Sequence, residues 1–81
     1  MKARVYITLK NGVLDPQGTA VARALGTMGF EGVEEVRQGK FIEVQLKETN
    51  RARAEEALEK MCKSLLANTV IENYRYELDA A

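Results

Sequence analysis

The stretch Lys2-Ala3-Arg4-Val5-Tyr6-Ile7-Thr8-Leu9-Lys10-Asn11-Gly12-Val13-Leu14-Asp15-Pro16 decides how this chain is to be read. Ala3, Val5, Ile7 and Leu9 alternate with Lys2, Arg4, Tyr6, Thr8 and Lys10. Successive side chains of a strand point to opposite faces, so a period of two means a strand with one buried face. Asn11-Gly12 breaks the alternation. Asp15 then offers a side-chain oxygen to the first free amides of a helix, and Pro16 suits the first helical position, where no amide hydrogen is needed.

Working outward, Val21, Ala24, Leu25 and Met28 recur at helical spacing and form one apolar stripe. Gly29 is placed to end that helix in a left-handed turn, with Phe30 supplying an apolar contact. A short, less regular strand is predicted over Val33 to Arg37, followed by a turn at Gln38-Gly39. Ile42, Val44 and Leu46 then alternate with Phe41, Glu43, Gln45 and Lys47, which predicts a third strand. Asn50 caps a second helix whose apolar stripe is Ala54, Ala57, Leu58, Met61, Cys62 and Leu65. Glu56 with Lys60 and Glu59 with Lys63 are i,i+4 pairs in the favourable orientation on its outer face. Val70 to Leu78, carrying Tyr74 and Tyr76, reads as the last strand.

The predicted order is β-α-β-β-α-β in one domain over residues 1–81. Right-handed crossovers would put both helices on one face of a four-stranded antiparallel sheet, an α+β sandwich of ferredoxin-like type. The opposite face would be open and would carry Tyr6 and Phe41 among charged neighbours. A chain of 81 residues buries only about 60–65% of its unfolded surface. Aromatic residues on an uncovered sheet then suggest self-association, with Tyr6 and Phe41 as the dimer contact.

Composition narrows the chemistry. Twelve basic and twelve acidic residues cancel, which leaves no charge footprint for nucleic acid or an anionic membrane. Gly39-Lys40-Phe41-Ile42-Glu43-Val44 has some likeness to an RNA-stacking strand, but Glu43 stands where a second aromatic residue is needed. No apolar stretch approaches the roughly 18 residues that span a bilayer, and the first residues have no signal-peptide core, so a cytoplasmic location is expected. The chain has no histidine, which removes the commonest general base and every His-containing zinc site. Its single cysteine, Cys62, lies on an apolar stripe and reads as a structural thiol.

Two features break local rules. Val13 and Leu14 are apolar residues in a loop, and Gly18 gives up about 1 kcal/mol of helix propensity in a first turn. Rules broken together mark a candidate working surface, here a partner contact formed by Lys10, Gly12, Val13, Leu14, Asp15, Gln17 and Gly18. Folding Val13 and Leu14 over the end of the core is the structural alternative. Arg51 and Arg53 place positive charge where a helix dipole is already positive, and are further candidates for contact with an acidic partner surface.

The segments Val5 to Lys10, Gly12-Val13-Leu14-Asp15-Pro16-Gln17-Gly18, Ala24-Leu25, Gly29-Phe30, Val33, Val36-Arg37 and Gly39-Lys40 resemble the PurS family. So do Met61-Cys62, Leu65-Leu66-Ala67-Asn68 and Val70-Ile71-Glu72-Asn73-Tyr74, with Thr69 departing from the proline usual there. The resemblance implies a non-catalytic small subunit of formylglycinamidine ribonucleotide synthase in purine biosynthesis. Such a subunit would dimerise, bridge a glutaminase subunit and a large ATP-dependent synthase subunit, and support ammonia transfer between them. ATP, magnesium and glutamine would sit on those partners and no cofactor on this chain. A regulatory module of ACT type, binding an amino acid at a subunit interface, shares the predicted element order and is the alternative.

Overall fold

The computed structural model describes residues 1–79. Its elements are β1 (Lys2–Leu9), α1 (Pro16–Thr27), β2 (Gly39–Gln45), α2 (Arg51–Met61), a π-helical turn (Cys62–Leu66) and β3 (Glu72–Asp79). The alternation read in β1 is realised, with Ala3, Val5 and Ile7 fully buried. β1 is the centre of the sheet, which has the order β2-β1-β3 and is antiparallel throughout. Val5 stands opposite Ile42 on one side and Tyr76 on the other, so the apolar residues of all three strands share one face.

The four-stranded sheet expected from the sequence is therefore corrected to three strands, in the order β-α-β-α-β. Residues 33–37 form no strand. The segment is bonded elsewhere: the Arg37 side chain donates to the carbonyls of Leu9 and Lys10, each at 3.0 Å. Next to it, the Gln38 amide donates to the Asp15 carboxylate at 2.8 Å. Its local pattern also lacks strand alternation, because Glu34 and Glu35 separate Val33 from Val36.

The helix boundaries follow the predicted caps. The Asp15 side chain accepts from the Gly18 amide, and that of Asn50 accepts from the Arg53 amide. Gly29 adopts φ +97°, open to glycine at no steric cost, and closes α1 with paired bonds from Gly29 to Gly26 and from Phe30 to Leu25. The second stripe holds through Ala54, Leu58 and Cys62 but not to Leu65, which is 84% exposed. The bond from the Ala67 amide to the Cys62 carbonyl widens one turn to i→i+5, so the residues that follow rotate and Leu66 takes the inward position. The last strand starts two residues later than read, because Asn68 holds residues 68–72 in a turn through its carbonyl and side chain. Of the two predicted pairs on α2, Glu59 meets Lys63 at 3.9 Å, while a third, Arg51 with Glu55, forms at 3.3 Å.

The core comprises Ala3, Val5, Ile7, Ala54, Leu58, Cys62, Ala67 and Leu78, that is, the sheet's inner face and α2. No residue of α1 belongs to it. The molecule accordingly measures 49 × 27 × 14 Å with a radius of gyration of 16.1 Å, where a compact chain of this length would have about 12 Å.

Candidate functional site

The β1–α1 loop is organised around Asp15, which is only 7% exposed. One carboxylate oxygen accepts from the Gly18 amide at 2.9 Å and the other from the Gln38 amide at 2.8 Å. These two amide bonds, Gln38 first, hold its pKa below the ordinary 3.8, with Arg37 adding attraction. Thr19 Oγ1 donates to the Asp15 carbonyl at 3.0 Å. Gly18 packs so closely that a Cβ there would overlap the Val36 carbonyl oxygen and crowd the Asp15 carboxylate at 2.8 Å. Asp15 and Gly18 are thus taken up within the chain, where they clamp the start of α1 to residues 36–38. Arg37 completes the clamp through the Leu9, Lys10 and Val13 carbonyls. Sequence reasoning missed Arg37 and Val36 as parts of this loop, since nothing local links them to residues so far upstream.

The other loop residues remain available. Leu14 is 76% exposed, Gly12 and Gln17 are exposed, and Lys10 and Val13 are half-buried. Gly12, Val13, Leu14, Thr19, Val36 and Arg37 are among the walls of a groove of about 430 Å³. Arg51 and Arg53 are exposed at the start of α2. Thr8 pairs with Gly39 and Lys2 with Gln45, so β2 runs away from the loop and delivers both arginines to the other end of the sheet. The eight-residue length of β1, about 26 Å, separates the two sets.

Tyr6 and Phe41 do meet on the outer sheet face, with ring centroids 5.2 Å apart. The Arg75 guanidinium lies 3.9 Å over the Tyr6 ring. Around them Lys2 pairs with Glu43, Arg4 with Asp79 and Arg75 with Glu77. Much of this face is therefore satisfied by its own contacts.

The ionisable groups inside the fold are tied into structure. Burial, then the charge of Glu59, pushes the Cys62 thiol up and away from the reactive thiolate. Tyr74 donates to Glu59 at 2.6 Å, which lowers the carboxylate and pushes the phenol up to about 12. Among the described residues no group of three or more His, Cys, Asp or Glu is placed to hold a metal ion. Among them, too, no helix is long and apolar enough to cross a membrane.

The β1–α1 loop thus presents exposed Leu14 and Gln17 on a backbone held by Asp15 and Arg37. A small three-stranded α+β domain with this loop at one end of the sheet is a particular class: the PurS model, described as phosphoribosylformylglycinamidine (FGAM) synthase, matches residues 2–80, and the chain belongs to the PurS family. It is 52% identical to the PurS subunit of phosphoribosylformylglycinamidine synthase from Synechocystis, over 95% of this chain and 77% of that protein. The Bacillus subtilis PurS structure superposes with a TM-score of 0.83 at 49% identity, covering 94% of each chain. A chain of the PurLQS structure from Thermotoga maritima gives a TM-score of 0.86 at 30% identity, covering 94% of this chain and 93% of that one.

Proposed function

We propose that this chain is the small, non-catalytic subunit of a formylglycinamidine ribonucleotide synthase built from separate chains, acting in purine biosynthesis. The observation that carries the reading is the likeness over nearly the whole chain to proteins named as that subunit, one of them solved as PurLQS. The chain bridges a glutaminase subunit and an ATP-dependent synthase subunit and supports the passage of ammonia between them. ATP, magnesium and glutamine are bound by those partners. The chain works in the cytoplasm and associates with itself, at least as a dimer. Exposed Leu14 and Gln17 on a clamped loop favour a protein partner over a small substrate.

Reconstitution tests this. The two partner subunits are assayed for amidine formation with glutamine or with ammonium as nitrogen source, with and without the chain. Omitting the chain is expected to abolish most glutamine-dependent turnover and to leave ammonium-dependent turnover standing. Equal glutamine-dependent rates in both mixtures would refute the bridging role.

A further inference from the structure

The groove of about 430 Å³ at the loop end of the molecule lies between the β1–α1 loop, the first turns of α1 and residues 34–37. Val13, Leu14, Ala22 and Val36 give it apolar walls, with Leu14 exposed and the other three half-buried. Thr19 and Ala22, three residues apart, line it from the side of α1 turned away from the Val21–Met28 stripe. The groove is thus a surface separate from that stripe.

Its charges do not cancel. Three carboxylates, of Asp15, Glu34 and Glu35, face the single guanidinium of Arg37. Arg37 is engaged with the Leu9, Lys10 and Val13 carbonyls and meets Glu35 only at 3.7 Å. Two amides close off Asp15, so exposed Glu34 and the 71% exposed side chain of Glu35 carry the accessible charge. Apolar walls under an acidic rim suit a cation placed beside an apolar side chain.

One wall also offers backbone. Residues 33–36 form neither helix nor strand, and among the described residues their amides and carbonyls pair with no other backbone group. Val33 and Val36 favour extended chain. A second extended chain laid along such a row gains main-chain hydrogen bonds, and its alternate side chains then reach the same side. A polypeptide uses both the backbone row and the groove; a small ligand would use the groove alone.

We propose that this groove takes an extended segment of a partner subunit, paired to the backbone of residues 33–36. An apolar side chain of that segment packs against Val13, Leu14 and Val36, and a lysine or arginine beside it meets Glu34 and Glu35. The inference rests on the bridging role proposed above and adds the chemistry of what the loop end meets.

The full chain tests it as wild type, as Glu34→Lys with Glu35→Lys, and as Glu56→Lys, an exposed charge on α2. Circular dichroism verifies each fold, and capture by each partner subunit is measured separately. The double reversal is expected to weaken capture by one subunit about 10-fold or more at low salt, with a smaller loss at about 0.5 M salt, where exposed charges are screened. Glu56→Lys should leave capture within a few-fold. In the wild-type complex, hydrogen exchange of amides 33–36 is expected to slow about 10-fold or more relative to the free chain. Unchanged capture of the double variant by both subunits would overturn the proposal, as would amides 33–36 exchanging as fast in the complex as in the free chain. If the double reversal instead altered the sedimentation of the chain alone, the occupant would be a second copy and the proposal would fail. Capture of the wild-type chain by neither subunit would overturn the bridging role itself, and this inference with it.

Discussion

Gly18→Ala and Gly26→Ala make the same chemical change in the same helix and are expected to act in opposite directions. In an ordinary helix interior, glycine to alanine contributes about 0.8–1.0 kcal/mol of stability. Gly26 has nothing within 4 Å of where its Cβ would be, so it should show that gain. At Gly18 the new methyl group would overlap the Val36 carbonyl and approach Asp15 Oδ2 at 2.8 Å and Cγ at 3.0 Å. Backbone cannot rotate away as a side chain can, so the start of α1 must move. Overpacking of this kind costs about 1–3 kcal/mol, and a disturbed Asp15 cap about 1 kcal/mol more. Against a propensity gain of at most about 1 kcal/mol, Gly18→Ala is expected to destabilise the helix by about 1–3 kcal/mol net. Because α1 lies outside the core, the readout is local: hydrogen exchange of its amides. Exchange should accelerate about 5- to 150-fold in Gly18→Ala and slow about 4- to 5-fold in Gly26→Ala, at tenfold per 1.4 kcal/mol. If Gly18→Ala slowed exchange as well, the contact between the helix start and Val36 would be refuted.

Three further outcomes are expected. Asp15 has a lowered folded pKa, so its carboxylate stabilises the fold above the ordinary 3.8 and that contribution fades as pH falls through the lower folded value; the gap between wild type and Asp15→Asn in α1 exchange should therefore be widest near neutrality and close in acid below about 3.8. Cys62→Ala should lower Tm by several degrees, about 1 kcal/mol of lost packing, without reducing turnover of the assembled complex; lost turnover in a folded, assembled variant would mean the thiol is reactive. Replacing Val13 and Leu14 together by serine should leave the circular dichroism unchanged and weaken capture by the partner subunits, each apolar side chain contributing about 1.5–3 kcal/mol when fully buried; unchanged capture would move the interface elsewhere.

What could be read along the chain was whatever neighbouring residues settle among themselves. The alternation of Ala3, Val5 and Ile7 against Arg4 and Tyr6 requires only that one face be buried, and the sheet obeys it. Asp15, Gly29 and Asn50 act within a few residues of themselves, so all three caps stand where their types and spacing put them. The exposed part of the loop, Leu14 and Gln17, was legible because apolar and neutral residues there have no local use. Arg37 was not legible, since its value lies in reaching carbonyls of residues 9, 10 and 13, which only the folded chain brings near.

By itself, then, the sequence determined which residues of β1 alternate, where both helices begin and where the first ends, and that the chain lacks the histidine that acid–base chemistry most often uses. Tertiary structure decided the rest. Residues 33–37 have enough apolar character for a strand, but strand formation needs a partner edge, and long-range bonds donated by Arg37 to the Leu9 carbonyl and by the Gln38 amide to the Asp15 carboxylate hold the chain here away from one. Losing that strand removes the parallel return that seats a crossover helix, so α1 stands clear of its own sheet although its stripe is well formed. Local pattern specifies which face of an element is apolar; only the competition among distant hydrogen bonds determines what that face meets.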